Sequence, residues 1–114
     1  MSQKQVLFFV LEKTEVLDEL LISLNDAGIH GATVINSTGM AQTLASREDD
    51  YSFGTFRDFF RSDRVENKTI FTIIDEQKIP VAKKVINEVV GDLNKPYKGI
   101  LFAFPVSFVE GISD

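Results

Sequence analysis

The sequence predicts an α+β fold: a four-stranded antiparallel sheet with two helices on one face. Three observations carry this. Short runs are apolar at nearly every position, two longer stretches hold apolar residues at helical spacing, and the order strand, helix, strand occurs twice within 114 residues.

The first run, Val6 to Leu11, is β-branched and aromatic and apolar throughout, the pattern of a strand covered on both faces. Thr14 offers an N-cap, and Val16, Leu17, Leu20, Leu21 and Leu24 follow at helical spacing as far as Ala27, with Gly28 as the stop. Gly31 to Asn36 then reads as a shorter, more mixed strand. The order recurs. Lys68 to Ile74 is a third strand, and Val81, Ala82, Val85, Ile86, Val89 and Val90 form the apolar stripe of a second helix that ends at Gly91. Pro80 fits that helix only in its first turn, where the missing amide donor costs nothing. Gly99 to Val106 is the last strand, with Phe102 and Phe104 on one face and Leu101 and Ala103 on the other. Two such units in tandem give the βαββαβ order of a ferredoxin-like sandwich.

The length bounds this to a single domain, residues 1–114. With 44% hydrophobic and 25% charged residues, the composition is that of a chain that folds. A net charge of -5 removes the general attraction to a phosphate backbone, so nucleic acid is not an expected partner. Without Cys and with one His, the chain lacks the side chains of thiol chemistry or a typical zinc centre, and no resident cofactor or metal is expected. The apolar runs Val6 to Leu11 and Ile100 to Val106 are too short for a signal-peptide core or a membrane span. A cytoplasmic protein with no membrane insertion is the expectation.

Two helices can cover only one face of the sheet, yet the first, third and fourth strands are apolar on both. The second face therefore calls for burial against other copies, with coverage by the chain's own long loop as the alternative. That loop, residues 38–66, differs in composition from the rest. It runs through Arg47 to Tyr51 and closes with Phe53 to Arg61, where Phe56, Phe59 and Phe60 have the spacing of a short helix.

Leu17-Asp18-Glu19 at the first helix, the turn Gly28-Ile29-His30-Gly31 followed by Thr33-Val34, and the closing strand Leu101-Phe102-Ala103-Phe104-Pro105-Val106 resemble the P-II family of nitrogen-signalling proteins and its P-II-like relatives. The resemblance covers nearly the whole chain. It implies a homotrimer with sheets facing inward, adenine nucleotides in clefts between subunits, and a long T-loop that docks onto a protein target such as a transporter or an enzyme. It carries Thr33 over as an adenine contact, Gly39 as the root of the T-loop, and Gln42, one place early, as the glutamine that helps hold a metal and 2-oxoglutarate. In the loop before the last strand, which cradles phosphates in the family, Gly99 matches, while Lys95 and Lys98 supply positive charge from a different frame. Arg47, Tyr51, Phe53 and Arg57 become the partner-binding residues of the long loop. By the residues alone, Thr33 equally suits an ordinary strand position, Gly39 a turn, and the two lysines a solvated loop.

The departures are as informative. Gly39-Met40-Ala41-Gln42-Thr43 lacks the family's Arg, Ile100 stands where the family has its phosphate-binding Lys, and the C-terminal residues Glu110 to Asp114 carry no basic side chain. Classical 2-oxoglutarate sensing and tight ATP binding are thus disfavoured, and AMP or ADP, another ligand, or none is expected rather than ATP. A ligand-free adaptor and a divergent cyclic-dinucleotide-binding relative remain alternatives. No nucleophile with its base is visible, and Lys13 alone stands where a small phosphatase of this fold would need an Arg, so an enzyme is not expected.

Overall fold

Along β1 (Lys4–Leu11), burial alternates: Leu7, Phe9 and Leu11 are buried, while Val6, Phe8 and Val10 are half-buried. This period-2 pattern belongs to a strand whose two faces meet different surroundings. The computed structural model describes residues 3–45 and 66–112. After β1 come α1 (Leu17–Asp26), β2 (Thr33–Ser37), a six-residue helix α2 (Met40–Ala45), β3 (Asn67–Asp75), α3 (Ile79–Val90) and β4 (Gly99–Pro105). The strands form one antiparallel sheet in the order β2-β3-β1-β4. This is the expected ferredoxin-like α+β architecture.

The core lies between one face of the sheet and the two long helices. Leu7, Phe9 and Leu11 of β1 and Ile70 and Ile74 of β3 meet Leu20 and Leu24 of α1 and Ala82, Ile86 and Val90 of α3. Both helices follow the spacing read from the sequence, and Pro80 sits in the first turn of α3 as required. Gly91 ends α3 at φ 103, a left-handed conformation that costs a residue with a Cβ more than a glycine.

Two local expectations do not hold. Thr14 makes no side-chain cap; it opens a turn of 3-10 helix, Thr14–Val16, from which α1 starts at Leu17. The tighter turn brings the chain in without an Asx-type or hydroxyl cap. Where residues 38–66 were expected as loop, Met40–Ala45 forms α2, a helix too short to show a periodic stripe. The proposed helix at Phe56, Phe59 and Phe60 and the partner-loop residues Arg47, Tyr51, Phe53 and Arg57 lie outside the described residues.

Candidate functional site

Register decides what the second face of the sheet carries. Phe8 pairs with Phe71 on one side and Phe102 on the other, and Val6 with Ile73 and Phe104. Phe8 consequently stacks on both Phe71 and Phe102 with ring centres 5.3 Å apart, and on Phe104 at 6.0 Å. Ile100 extends this apolar surface and is 63% exposed; Phe102 and Phe104 are 45% and 43% exposed. The long helices pack on the opposite face, so four phenylalanine rings tile a surface that the described residues leave open to water.

A cleft opens beside β2 because β2 is shorter than β3. Pairing runs only from Thr33 with Phe71 to Ser37 with Asn67, and β3 continues to Asp75 without a neighbour from β2. The gap is a cleft of about 470 Å³ whose lining includes Thr33, Phe71, His30, Asp75 and Lys78. Its charged groups are engaged within the chain: Lys78 Nζ donates to the Gly28 carbonyl (2.9 Å), and Asp75 pairs with Lys4 (2.9 Å). His30 Nδ1 donates to Asn25 Oδ1 at 2.8 Å. A Thr hydroxyl beside a Phe ring, with the charges already tied down, suits an uncharged flat ring better than a phosphate.

At the far end of β2, the root of the long loop is fastened by polar contacts. Ser37 Oγ and Thr69 Oγ1 are hydrogen-bonded at 2.7 Å, and Lys68 Nζ donates to Asn36 Oδ1. The Gly39 N–H donates to Gln42 Oε1 (3.0 Å), while the Thr43 hydroxyl and amide both donate to the Gly39 carbonyl at 3.0 Å. Gln42 therefore reaches back as the third helical residue to the amide that precedes α2, one half of a capping box. The spacing Gly39 to Gln42 is the sequence signal for it.

The opposite edge of the sheet carries Lys95, Lys98 and Gly99. Gly99 has φ 151, and a Cβ there would stand 2.7 Å from Phe9 Cε1 and closer still to the Val10 carbonyl oxygen. Its role in this chain is close packing of β4 on β1, whatever it does for a ligand. Lys98 is tied to the turn just after β1 through its carbonyl, which accepts the Glu12 N–H at 3.1 Å. The neighbouring Lys13 ammonium, ahead of desolvation and of Lys95, lowers the pKa of Lys98 from the ordinary lysine value. Sequence reasoning weighed Lys13 only as a poor substitute for an Arg; no local pattern shows that its charge acts on Lys98.

The sheet order sets the distance between the two groups. Thr33, Gly39 and Gln42 belong to the β2 edge and Lys95, Lys98 and Gly99 to the β4 edge, three strand spacings or about 14 Å apart. Within one chain they do not form a common site. Among the described residues there is no group of three or more His, Asp or Glu side chains placed to hold a metal, and no helix long and apolar enough to cross a membrane.

No protein-family model and no curated protein sequence matches the chain. Solved structures do. The fold matches that of Arabidopsis thaliana PII bound to citrate, with a TM-score of 0.63 at 17% identity over 93% of this chain and 79% of that one. It matches equally a functionally unknown protein from Pediococcus pentosaceus, with a TM-score of 0.65 at 13% identity over 98% of this chain and all of the other. The chain has a PII-like fold. At these identities the likeness is one of architecture, and function must be argued from the residues.

Proposed function

We propose that this protein is a cytoplasmic, non-catalytic regulator of the P-II-like kind: a homotrimer that takes up a small ligand between subunits and contacts a target protein through residues 38–66. The observation that carries the reading is the open face tiled by Phe8, Phe71, Phe102 and Phe104. Fully burying a phenylalanine side chain contributes about 1.5–3 kcal/mol, so such a face favours association of copies. The separation of the two candidate groups supports the same reading, since Thr33 and Gly39 on one edge can join Lys95 and Lys98 on the other only across a subunit boundary.

An adenine nucleotide with few phosphates is the ligand class we favour. The cleft at Thr33 and Phe71 offers a hydroxyl and a ring face to a base. The phosphate side offers lysines from a rearranged loop, with Ile100 where the P-II pattern has Lys. The contacts to a target protein fall on Arg47, Tyr51, Phe53 and Arg57.

Light scattering after size exclusion, followed by calorimetry with AMP, ADP and ATP, tests this. About three subunit masses and tighter binding of AMP or ADP than of ATP are expected. A monodisperse monomer removes the reading, and a trimer that takes none of the three nucleotides is an adaptor without this ligand.

A further inference from the structure

Past Pro105, the last residue of β4, the chain crosses the end of the sheet. The Val106 N–H donates to the Lys4 carbonyl (3.0 Å), and Gln3 Nε2 donates to the Val106 carbonyl (3.2 Å), which pins this tail to the start of β1. The end of β3 is fastened at the same place, since the Glu76 N–H donates to the Gln3 carbonyl (2.9 Å) and Lys4 pairs with Asp75 (2.9 Å). From there the tail reaches the far side of β3. Ile112 lines the cleft beside β2 together with Thr33, Phe71 and Ile73. Two strand spacings, about 10 Å, separate β4 from β3. The stretch from Val106 to Ile112 can span about 20 Å when extended, so it covers that distance without being drawn taut.

Two features make the Ile112 contact specific and reversible. Gly111 has φ 93 with open space where a Cβ would stand, so this position requires a backbone conformation and not room. The turn there sets the direction in which Ile112 leaves the tail. Val106 and Val109 are half-buried on the way, whereas Phe108 is exposed and Ile112 itself remains 40% exposed. The core residues of the sheet are nearly inaccessible by comparison. Partial burial of one aliphatic side chain favours the seated tail by about tenfold in population, a margin that a small ligand can reverse.

We propose that the tail is an autoinhibitory strap: Ile112 occupies the cleft of its own chain beside Thr33 and Phe71, and a flat uncharged ring enters by displacing it. The strap rests on the ligand reading above and adds regulation to that site. It is built within one chain and needs no second copy. Ligand uptake becomes release of the tail, with Val109 and Ile112 uncovered beside the exposed Phe108.

The test is an NMR titration of the full chain with adenosine, which carries the base without phosphate, repeated with Ile112→Ser and Gly111→Val. The second variant keeps the isoleucine but strains the turn that directs it. In the unaltered chain, nuclear Overhauser contacts from the Ile112 methyls to residues of the cleft are expected, and they should vanish as adenosine saturates. Both variants should bind adenosine about tenfold more tightly, with shifts at Thr33 and Phe71. A merely structural tail would lower the melting temperature in the variants without tightening binding. Equal or weaker binding in the variants, with shifts still at Thr33, overturns the strap and leaves the ligand reading standing. Absence of shifts at Thr33 and Phe71 in all three chains overturns the base site and the strap with it. Absence of Ile112 contacts to the cleft in the unaltered chain overturns the strap alone.

Discussion

Phe8 and Phe102 are direct cross-strand neighbours whose rings stack 5.3 Å apart and 4° from parallel, on the face of the sheet that carries neither long helix. Phe71 stacks on the other side of Phe8 at the same spacing, so one row of rings crosses three strands. Ring pairs of this kind add about 0.5–1.5 kcal/mol each beyond area burial, but on a monomer they leave half of Phe102 in water. The row is well ordered for a surface, and better suited to an interface.

Phe102→Glu should therefore separate folding from assembly. The side chain is 45% exposed in the single chain, so a carboxylate there can reach water and the helical circular dichroism should persist. Buried between copies, the same charge would cost several kcal/mol. Light scattering should show the mass fall to one subunit; an unchanged trimer would place the interface on another face.

Gly99→Ala should destabilise the fold by about 3 kcal/mol, the upper end for inserting an atom into packed structure. The added Cβ meets the Phe9 ring at 2.7 Å and a backbone carbonyl that has no rotamer to give, and it does so at a positive φ. Urea unfolding reads the loss. A variant of unchanged stability would mean that β4 can shift on β1 and that Gly99 is held for a ligand alone.

Gln42→Ala should free the Gly39 amide and cost about 0.5–1 kcal/mol at the start of α2, while Gln42→Glu, which keeps the acceptor, should cost nearly nothing. Amide exchange at Gly39 distinguishes them: faster in the alanine variant, protected in the glutamate variant. Equal protection in both would show that the cap is not what orders this turn.

The lowered pKa of Lys98 fixes a sign for pH dependence. A lysine that releases its proton more readily in the folded than in the unfolded chain destabilises the fold while charged, and this effect fades as pH rises through the lowered folded value toward the ordinary lysine value. Lys98→Met should raise the melting temperature at neutral pH and low salt, and the gain should shrink at high salt and above the lysine range. A lower melting temperature in 20 mM salt, an ionic strength of about 0.02 M where screening is weak, would show that the aliphatic stem of Lys98 matters more than its charge.

The four strands, the two long helices, their order and the apolar second face were determined by the sequence itself. Periods of 2 and 3.6 are local properties, and Val6 to Leu11 or Val81 to Val90 display them without reference to anything distant. The capping spacing of Gly39 and Gln42 was equally local, although a six-residue helix hides it among loop residues. Tertiary structure alone decided the rest. The cleft at Thr33 exists because β2 stops pairing at Phe71 while β3 runs on to Asp75, a matter of strand register. The Glu12 amide reaches the Lys98 carbonyl across 86 positions of sequence because β4 begins beside the end of β1. Gly99 became a packing requirement only when the Phe9 ring and the Val10 carbonyl were set against it. Contacts of this kind depend on which strand edges adjoin, and periodicity along the chain carries no record of that.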